Sequence, residues 1–458
     1  MYGVFIEKGP KEWQIIQQQN GFAKITLEGR IELPEEEWNR ADNHRVIIKV
    51  NDEATNARVI TPTVIKLEGK RTFSVTLKIP AGGPYKIETE LGYFEAWRKR
   101  GDRIMHVGVG DVFVIAGQSN ASGTSSDIVC DPLDLSVHAF KLRGEWDIAS
   151  HPIADGTDGI FPDINEGAVS GHSPWIAFGK ILSKELGYPI GLIPAALGGS
   201  PLSYWNRKES GHLFNNMLKM IEMSGTSVCG MLWYQGCTDA EDEAKRSTYF
   251  ERFKYFCEDV RNELGKDLPI FTVQLNKFTG IKDLDTTQAG KNYCVIRDAQ
   301  TKAAKEIDNV YMVPSIDLRT CDGIHNTASS NLVIAQRVAN QALRYVYKKD
   351  TLCDAPEISK VVKTDSKTVR MYFKNVYDLI YGDSNRTESL MFSLTDSKGR
   401  ILPIDYEIPC DDSVILKFDR EIEQNATISC DQYNESGLMP YDRMTFLPIV
   451  PFSNAVVE

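Results

Sequence analysis

The 458-residue chain carries no CxxC pair, no HExxH, no P-loop lysine or GxGxxG at a strand end, and no apolar run of membrane-spanning length. Each absence removes a class of function. Nine cysteines (Cys130, Cys229, Cys237, Cys257, Cys294, Cys321, Cys353, Cys410, Cys430) are scattered and odd in number, which fits reduced thiols better than a disulfide framework. The seven histidines lack the paired spacing of a metal site, so neither a metal nor any other cofactor is expected. Net charge is −11 with acidic residues spread along the chain, leaving no basic patch to neutralise a phosphate backbone and making nucleic acid a poor partner. The opening Met1-Tyr2-Gly3-Val4-Phe5 has no basic segment leading into an apolar one, and no membrane association is expected. As written the chain reads as cytoplasmic; a signal peptide already removed would leave the same pattern. Oligomeric state is not encoded in any feature of the sequence.

What is present changes style twice along the chain. Residues 1–107 hold short alternating stretches such as Ala23–Leu27, Arg45–Val50 and Phe73–Ile79, separated by turn residues, which predicts a β-sandwich. Residues 108–350 alternate apolar strands (Val112–Ala116, Ile190–Pro194, Gly230–Tyr234, Ile270–Leu275, Val310–Pro314) with amphipathic helices. That alternation predicts a flavodoxin-like α/β/α layer around a parallel sheet. Residues 351–458 return to alternation, as in Thr368–Phe373 and Ser413–Phe418, predicting a second β-sandwich.

In open α/β sheets, chemistry sits beyond the carboxyl ends of the strands. The first of these strands stops at Gly117 and delivers Gln118-Ser119-Asn120 into a polar turn, so Ser119 is a candidate nucleophile. A serine needs a base, and the base needs an orienting group. Asp322-Gly323-Ile324-His325, just past the last strand, offers both: a carboxylate three residues ahead of an imidazole can hold Nδ1–H and leave Nε2 for the serine. Alone, that tetrapeptide also reads as a capped turn with an exposed histidine. Acyl transfer further needs donors for an oxyanion. Gly198-Gly199-Ser200 follows one strand with unobstructed amides, and Gln235-Gly236 follows another with a side-chain amide. Four strand ends in register carry the argument that no single one carries.

Together Gly117-Gln118-Ser119-Asn120, Gly198-Gly199-Ser200 followed by Trp205, Trp233-Tyr234-Gln235-Gly236 and Asp322-Gly323-Ile324-His325 resemble the sialate O-acetylesterase family of the SGNH hydrolase superfamily. The resemblance covers the central region in order and spacing. It implies Ser119 as nucleophile, His325 as base, Asp322 as its partner, and an oxyanion hole from the Ser119 amide, a Gly198 or Gly199 amide and the Gln235 side chain. The sequence departs from the family at Ala121, where Met is usual, and at Cys237, where Glu is usual; the second change bears on substrate identity.

The reading is an acetylesterase acting on an O-acetylated carbohydrate, sialic acid or plant-glycan in type, through an acyl-enzyme. Gln118, Asn120, Trp205 and Arg207 are candidate substrate contacts, and the segment from Asp155 to Glu166 is a candidate rim. A non-catalytic carbohydrate-binding protein on the same scaffold is the competing reading. Four Asn-X-Ser/Thr matches, at Asn120, Asn385, Asn425 and Asn434, are common by chance, and a glycan on Asn120 would block the site.

Overall fold

The computed structural model describes residues 2–40, 43–93, 97–166, 171–280, 286–382, 391–430 and 439–458. Its organising element is one strand. We number the strands and helices that build the central region in chain order: β1 (Ile15–Gln17), β2 (Trp97–Gly117), β3 (Val137–Phe140), β4 (Trp146–Ile148), β5 (Ile190–Pro194), β6 (Gly230–Tyr234), β7 (Ile270–Val273) and β8 (Val310–Val313). The helices are α1 (Ser119–Ser122), α2 (Pro174–Leu186), α3 (His212–Ser224), α4 (Tyr249–Leu264), α5 (Thr286–Glu306) and α6 (Ala328–Gln341).

Strand order is β4-β3-β5-β2-β6-β7-β8, parallel throughout except for the antiparallel edge strand β4. Every residue of β3, β5, β6 and β7 is buried, as strands covered on both faces must be. Helix α2 packs against α6, and α4 against α5. Capping follows the sequence: the Ser173 hydroxyl accepts from the Trp175 amide at the start of α2, and the Thr327 hydroxyl accepts from the Ser330 amide at the start of α6.

β2 is far longer than the stretch from Val112 that periodicity picks out. Its first half pairs antiparallel with the strand Gly82–Tyr93, and its second half lies at the middle of the parallel sheet beside β5 and β6. The strand carries glycines at His106-Val107-Gly108-Val109-Gly110, where a strand interior is ordinarily weakened. In the fold they permit contact: a Cβ on Gly110 would stand 1.8 Å from the Pro189 carbonyl oxygen. β1 also joins the sheet here, pairing with Gly108–Gly110.

Before β2, the sheet Gly3–Lys8, Phe22–Glu32 and Thr72–Pro80 and the sheet carrying Arg45–Asp52, Thr63–Lys66 and Gly82–Tyr93 share a core that includes Leu27, Ile48, Ile79 and Ile87. After α6, the strands Glu357–Asp365, Thr368–Lys374, Asp405–Glu407 and Ser413–Lys417 form one sheet. Phe392–Asp396, Gly399–Ile401, Thr427–Cys430 and Ala455–Val456 form another, and the two share a core around Val369, Met371, Leu394, Leu416 and Ile428. The acidic stretch after Pro34 forms a short helix, Glu35–Asn39.

Among the described residues no disulfide joins cysteines, and no helix is long and apolar enough to cross a membrane. Asn120 is 5% exposed, too buried for a glycan, whereas Asn425 is exposed; Asn385 and Asn434 lie outside the described residues.

Candidate active site

Gly117 ends β2 with φ +128°, and a Cβ there would stand 2.3 Å from the Tyr234 carbonyl oxygen at the end of β6. Only glycine lets the two strand ends close in this way. The Gln118 amide then donates to that same carbonyl at 3.0 Å, and Gln118, in extended conformation, caps α1. Ser119 occupies the first helical position, where a backbone N–H has no acceptor within the helix.

The histidine loop is folded by its own sequence. The Cys321 amide donates to the His325 carbonyl at 2.8 Å, and Asp322 Oδ1 accepts from the amides of Ile324 and His325 at 2.8 and 2.7 Å. Short acidic side chains close turns in this manner. Its other oxygen, Oδ2, lies 2.6 Å from His325 Nδ1, and His325 Nε2 lies 2.8 Å from Ser119 Oγ. Burial opposes ionisation of Asp322, but the two amides and the His325 ring outweigh it and hold the carboxyl below its usual range. Residues 203 positions apart or more are thus joined in one hydrogen-bonded line, Asp322–His325–Ser119, with the imidazole facing the hydroxyl through the nitrogen that carries no proton when Nδ1 donates. A cavity of about 520 Å³ opens beside it, lined by Thr279, Thr320, Asp322, Ile324 and His325.

Asn120 fixes the two halves to each other. Its Nδ2 donates to the Ile324 carbonyl at 3.0 Å, and its Oδ1 accepts from the Asn326 amide at 3.1 Å. Gln118 does the same for the β6 end, its Oε1 accepting from the Gly236 and Thr238 amides at 3.0 and 3.4 Å. Both sequence-derived candidates therefore hold the site together; the observed bonds run to protein backbone.

The remaining candidates are placed differently from the expectation. The Gly198 amide is already engaged, donating to Glu166 Oε2 at 2.9 Å, so the rim segment reaches the site through that carboxylate. Gly199, at φ +64° with open space where a Cβ would project, follows it. Gln235 is fully buried. Its Nε2 donates to the Ser200 carbonyl at 3.2 Å and to Asp239 Oδ2 at 2.6 Å, while its Oε1 accepts from the Tyr249 hydroxyl at 2.9 Å. Both of its N–H groups are committed inside the protein and neither is presented to a substrate. Trp205 is likewise a core residue: it is fully buried, crosses Trp233 edge to face at 5.4 Å, and donates to Ser200 Oγ at 3.1 Å. Arg207 pairs with Glu263 and lies over the Phe214 ring. Trp205 is therefore no substrate contact in this arrangement and supports the Gly198–Ser200 loop through Ser200 Oγ, whereas Arg207 stays partly exposed.

Cys237, where the family usually has Glu, is 6% exposed, and burial pushes its thiol up to about 11. It is protonated at neutral pH and is no rival nucleophile.

Spacing gave no sign of two other networks. Asp239 accepts from Gln235, from the Leu202 amide and from Arg252 Nη1, tying the Gly198–Ser200 loop to α4. In the second, Asp131 Oδ2 meets His151 Nε2 at 2.8 Å and His172 Nε2 at 3.2 Å, while Lys180 Nζ lies 2.5 Å from Oδ1. Three such groups could hold a metal ion by type. Their chemistry fits a hydrogen-bonded hub better. The Ser173 amide donates to His151 Nδ1 at 3.3 Å, which places the ring proton on Nε2, where it is given to Asp131 and occupies the lone pair a cation would need. Lys180 already neutralises the carboxylate, and His172 Nδ1 is buried without the partner that a metal-bound histidine ordinarily finds.

Comparison with known proteins agrees with this architecture. Residues 109–344, more than half the chain, match the family described as carbohydrate esterase, sialic acid-specific acetylesterase. A protein of Arabidopsis thaliana described as a probable carbohydrate esterase is 26% identical over 255 residues, which are 51% of this chain and 90% of that protein. The crystal structure of a carbohydrate acetylesterase from Xanthomonas citri superposes with a TM-score of 0.67 over 97% of this chain and 98% of that one, at 19% identity, a likeness of fold. The strand ends that bear Ser119, Gly199, Gln235 and His325 all fall within the matched residues, and the chain belongs to the carbohydrate esterase, sialic acid-specific acetylesterase family, whose members are carboxylic ester hydrolases.

Proposed function

We propose that the protein is a serine esterase that removes acetyl groups from an O-acetylated carbohydrate through an acyl-enzyme. The observation that supports this reading most directly is the unbroken line from Asp322 through His325 to Ser119 Oγ at 2.6 and 2.8 Å. His325 Nε2 takes the hydroxyl proton as Oγ attacks the acetyl carbonyl carbon, and Asp322 stabilises the imidazolium that results. The carbonyl oxygen, now an anion, is held by the amides of Ser119 and Gly199, each preorganised donor being worth roughly 3 kcal/mol in such sites. The intermediate collapses with cleavage of the carbon–oxygen bond to the sugar, and His325 returns its proton to the departing sugar oxygen. Water, losing its proton to the same nitrogen, attacks the acetyl group on Ser119; acetate leaves and the serine hydroxyl is restored.

The Gly198 amide becomes a third donor only when Glu166 leaves it. Sugar recognition then falls to the cavity beside His325 and to Glu166, a carboxylate on the Gly198 amide that disfavours an anionic sugar unit. We place the division of the chain at 1–107, 108–350 and 351–458, with the acyl chemistry in the second unit as a three-layer α/β/α domain and the outer units as β-sandwiches. The separate cores around Leu27, around the central sheet and around Val369 support that division.

The test is to trap the intermediate. Brief incubation with p-nitrophenyl acetate, acid quenching and peptide mass analysis should find one added acetyl group on the peptide carrying Ser119, and none in Ser119→Ala. Turnover by wild type without an acetylated serine peptide, or undiminished turnover by the variant, would sink the mechanism.

A further inference from the structure

His325 stands on a loop, with its side chain 19% exposed and its Asp322 partner more open still, so packing alone does not hold the ring on Ser119. The anchors are polar and buried. Asn120 brackets the base on both sides, its Nδ2 donating to the Ile324 carbonyl and its Oδ1 accepting from the Asn326 amide. That ties the loop to the serine turn. Asn326, the residue after the base and 1% exposed, ties it to the rest of the sheet through its side chain.

The bonds of that side chain run in one direction. The Lys277 amide donates to Asn276 Oδ1 at 2.7 Å, which leaves Asn276 Nδ2 to donate to Asn326 Oδ1, also at 2.7 Å. Asn326 Nδ2 then donates to the Tyr234 hydroxyl at 3.1 Å. Ser315 Oγ gives its one proton to the Gln274 carbonyl at 2.6 Å, so across the 3.4 Å between them Tyr234 is the donor and Ser315 the acceptor. The side chains of Asn276, Asn326, Tyr234 and Ser315 are all buried, where a polar group deprived of its partner costs more than the bond itself contributes.

An amide suits position 326 because it accepts through one atom and donates through another. A carboxylate has no proton for Tyr234 and would set a second negative charge beside the base; an apolar side chain offers neither bond. The contacts of Asn326 come from the serine turn, the end of β6 and the segment after β7, so three strand ends together locate the residue that adjoins His325.

We propose that Asn326 is the positioning residue of the base: its side chain, tied to Tyr234 and Asn276, sets where the backbone at 326 lies and through it where His325 Nε2 meets Ser119 Oγ. The proposal rests on His325 serving as base in the acyl transfer and adds the residue that keeps it in place. Asn326 carries no charge, so its loss shows in the rate of the chemical step and not in substrate binding or in the titration of the base.

The experiment compares wild type, Asn326→Ala, Tyr234→Phe and the double variant by p-nitrophenyl acetate kinetics, thermal melting and crystal structures. Asn326→Ala should lower kcat about 100-fold, the scale of a misplaced reacting group, with KM within about threefold of wild type. Tyr234→Phe keeps the ring, loses the hydroxyl and should lower kcat about tenfold. The double variant should fall no further than Asn326→Ala, because Tyr234 acts through Asn326. The acid limb of kcat/KM should stay at its wild-type pH, since no charge has moved. In the crystal structure of Asn326→Ala, His325 Nε2 should stand beyond hydrogen-bond reach of Ser119 Oγ. Should Asn326→Ala melt well below wild type, Tyr234→Phe and Asn276→Ala test the same anchor from its two ends. Wild-type kcat in the folded variants, a loss carried by KM, additive losses in the double variant, a shifted acid limb or an unmoved ring would each overturn the proposal. If Ser119→Ala turns over as fast as wild type, the acyl-enzyme reading falls, and the ring position in Asn326→Ala alone decides this one.

Discussion

The molecule holds two aspartate–histidine clusters made of the same residue types and arranged to opposite ends. In one, Asp322 is half exposed, its side chain 51% accessible, and grips one imidazole whose far nitrogen is left to Ser119. In the other, Asp131 is 7% exposed and takes hydrogen bonds from two stacked imidazoles and a lysine, with ring centroids 4.1 Å apart. Burial with several cationic or polar partners makes a fastener. One carboxylate, one ring and a far nitrogen turned to a hydroxyl have the geometry that the proposed proton relay needs. The Asp131 cluster fastens the chain that follows α1 to the start of α2, since Ser173, the cap of α2, also donates to His151. Burial raises the Asp131 carboxyl toward neutrality, but the hydrogen bonds from His151, His172 and Lys180 prevail and hold it far below the usual carboxylate range.

The largest effect that would break this contrast is on the relay. Ser119→Ala should lower turnover of p-nitrophenyl acetate by about 10⁴-fold or more while the melting temperature stays near that of wild type, measured side by side. Asp322→Asn follows: an amide cannot balance the imidazolium, and because the carboxylate is exposed the loss should be about 10²–10³-fold in kcat with KM little changed. Asp131→Asn should show the reverse signature. It strips Lys180 of its counter-charge and weakens the acceptor of two imidazoles, and should cost about 3 kcal/mol in urea unfolding, while the folded protein keeps turnover within several-fold of wild type. A fall of 10³-fold in Asp131→Asn without loss of stability would mean that the fastener takes part in chemistry.

Two smaller effects sharpen the comparison. Asn120→Ala removes the bonds between the serine turn and the histidine loop and should reduce kcat about tenfold, or 1.4 kcal/mol in barrier. The pH dependence separates the clusters further. A carboxyl whose native pKa is depressed stabilises the fold fully above its unfolded value, near about 4, and that contribution is lost as pH falls toward the native value. Wild-type stability should therefore fall more steeply than that of Asp131→Asn below about pH 5, the two curves converging in acid; parallel curves would show that Asp131 is not charged in the native state.

The four strand ends were legible as strand ends because each is a local pattern: an apolar run, a stop, and a polar or glycine residue after it. The Asp322-Gly323-Ile324-His325 turn was legible for the same reason, its internal bonds depending on residues two and three apart. The rest was not local. Trp205, read as a surface for sugar, is buried between Trp233 and Phe256. Gln235, read as an oxyanion donor, is drawn inward because Asp239, one helical turn on, lies fully buried beside it. Val137–Phe140 escaped notice as a strand since His138 interrupts its short apolar run.

What the sequence determined by itself was the alternation of elements, the strand ends and the residues able to transfer a proton to or from a serine, because these depend on periodicity and on side-chain chemistry at fixed short spacings. Only the tertiary structure decided which amides are uncommitted, which aromatic residues face inward, and how Ser119 comes within 2.8 Å of a ring 206 residues further along the chain. The physical reason is that burial and competition for hydrogen bonds are properties of the assembled neighbours. Glu166 on Gly198, Asp239 on Gln235 and Lys180 on Asp131 are pairings between segments that meet only once the sheet has formed.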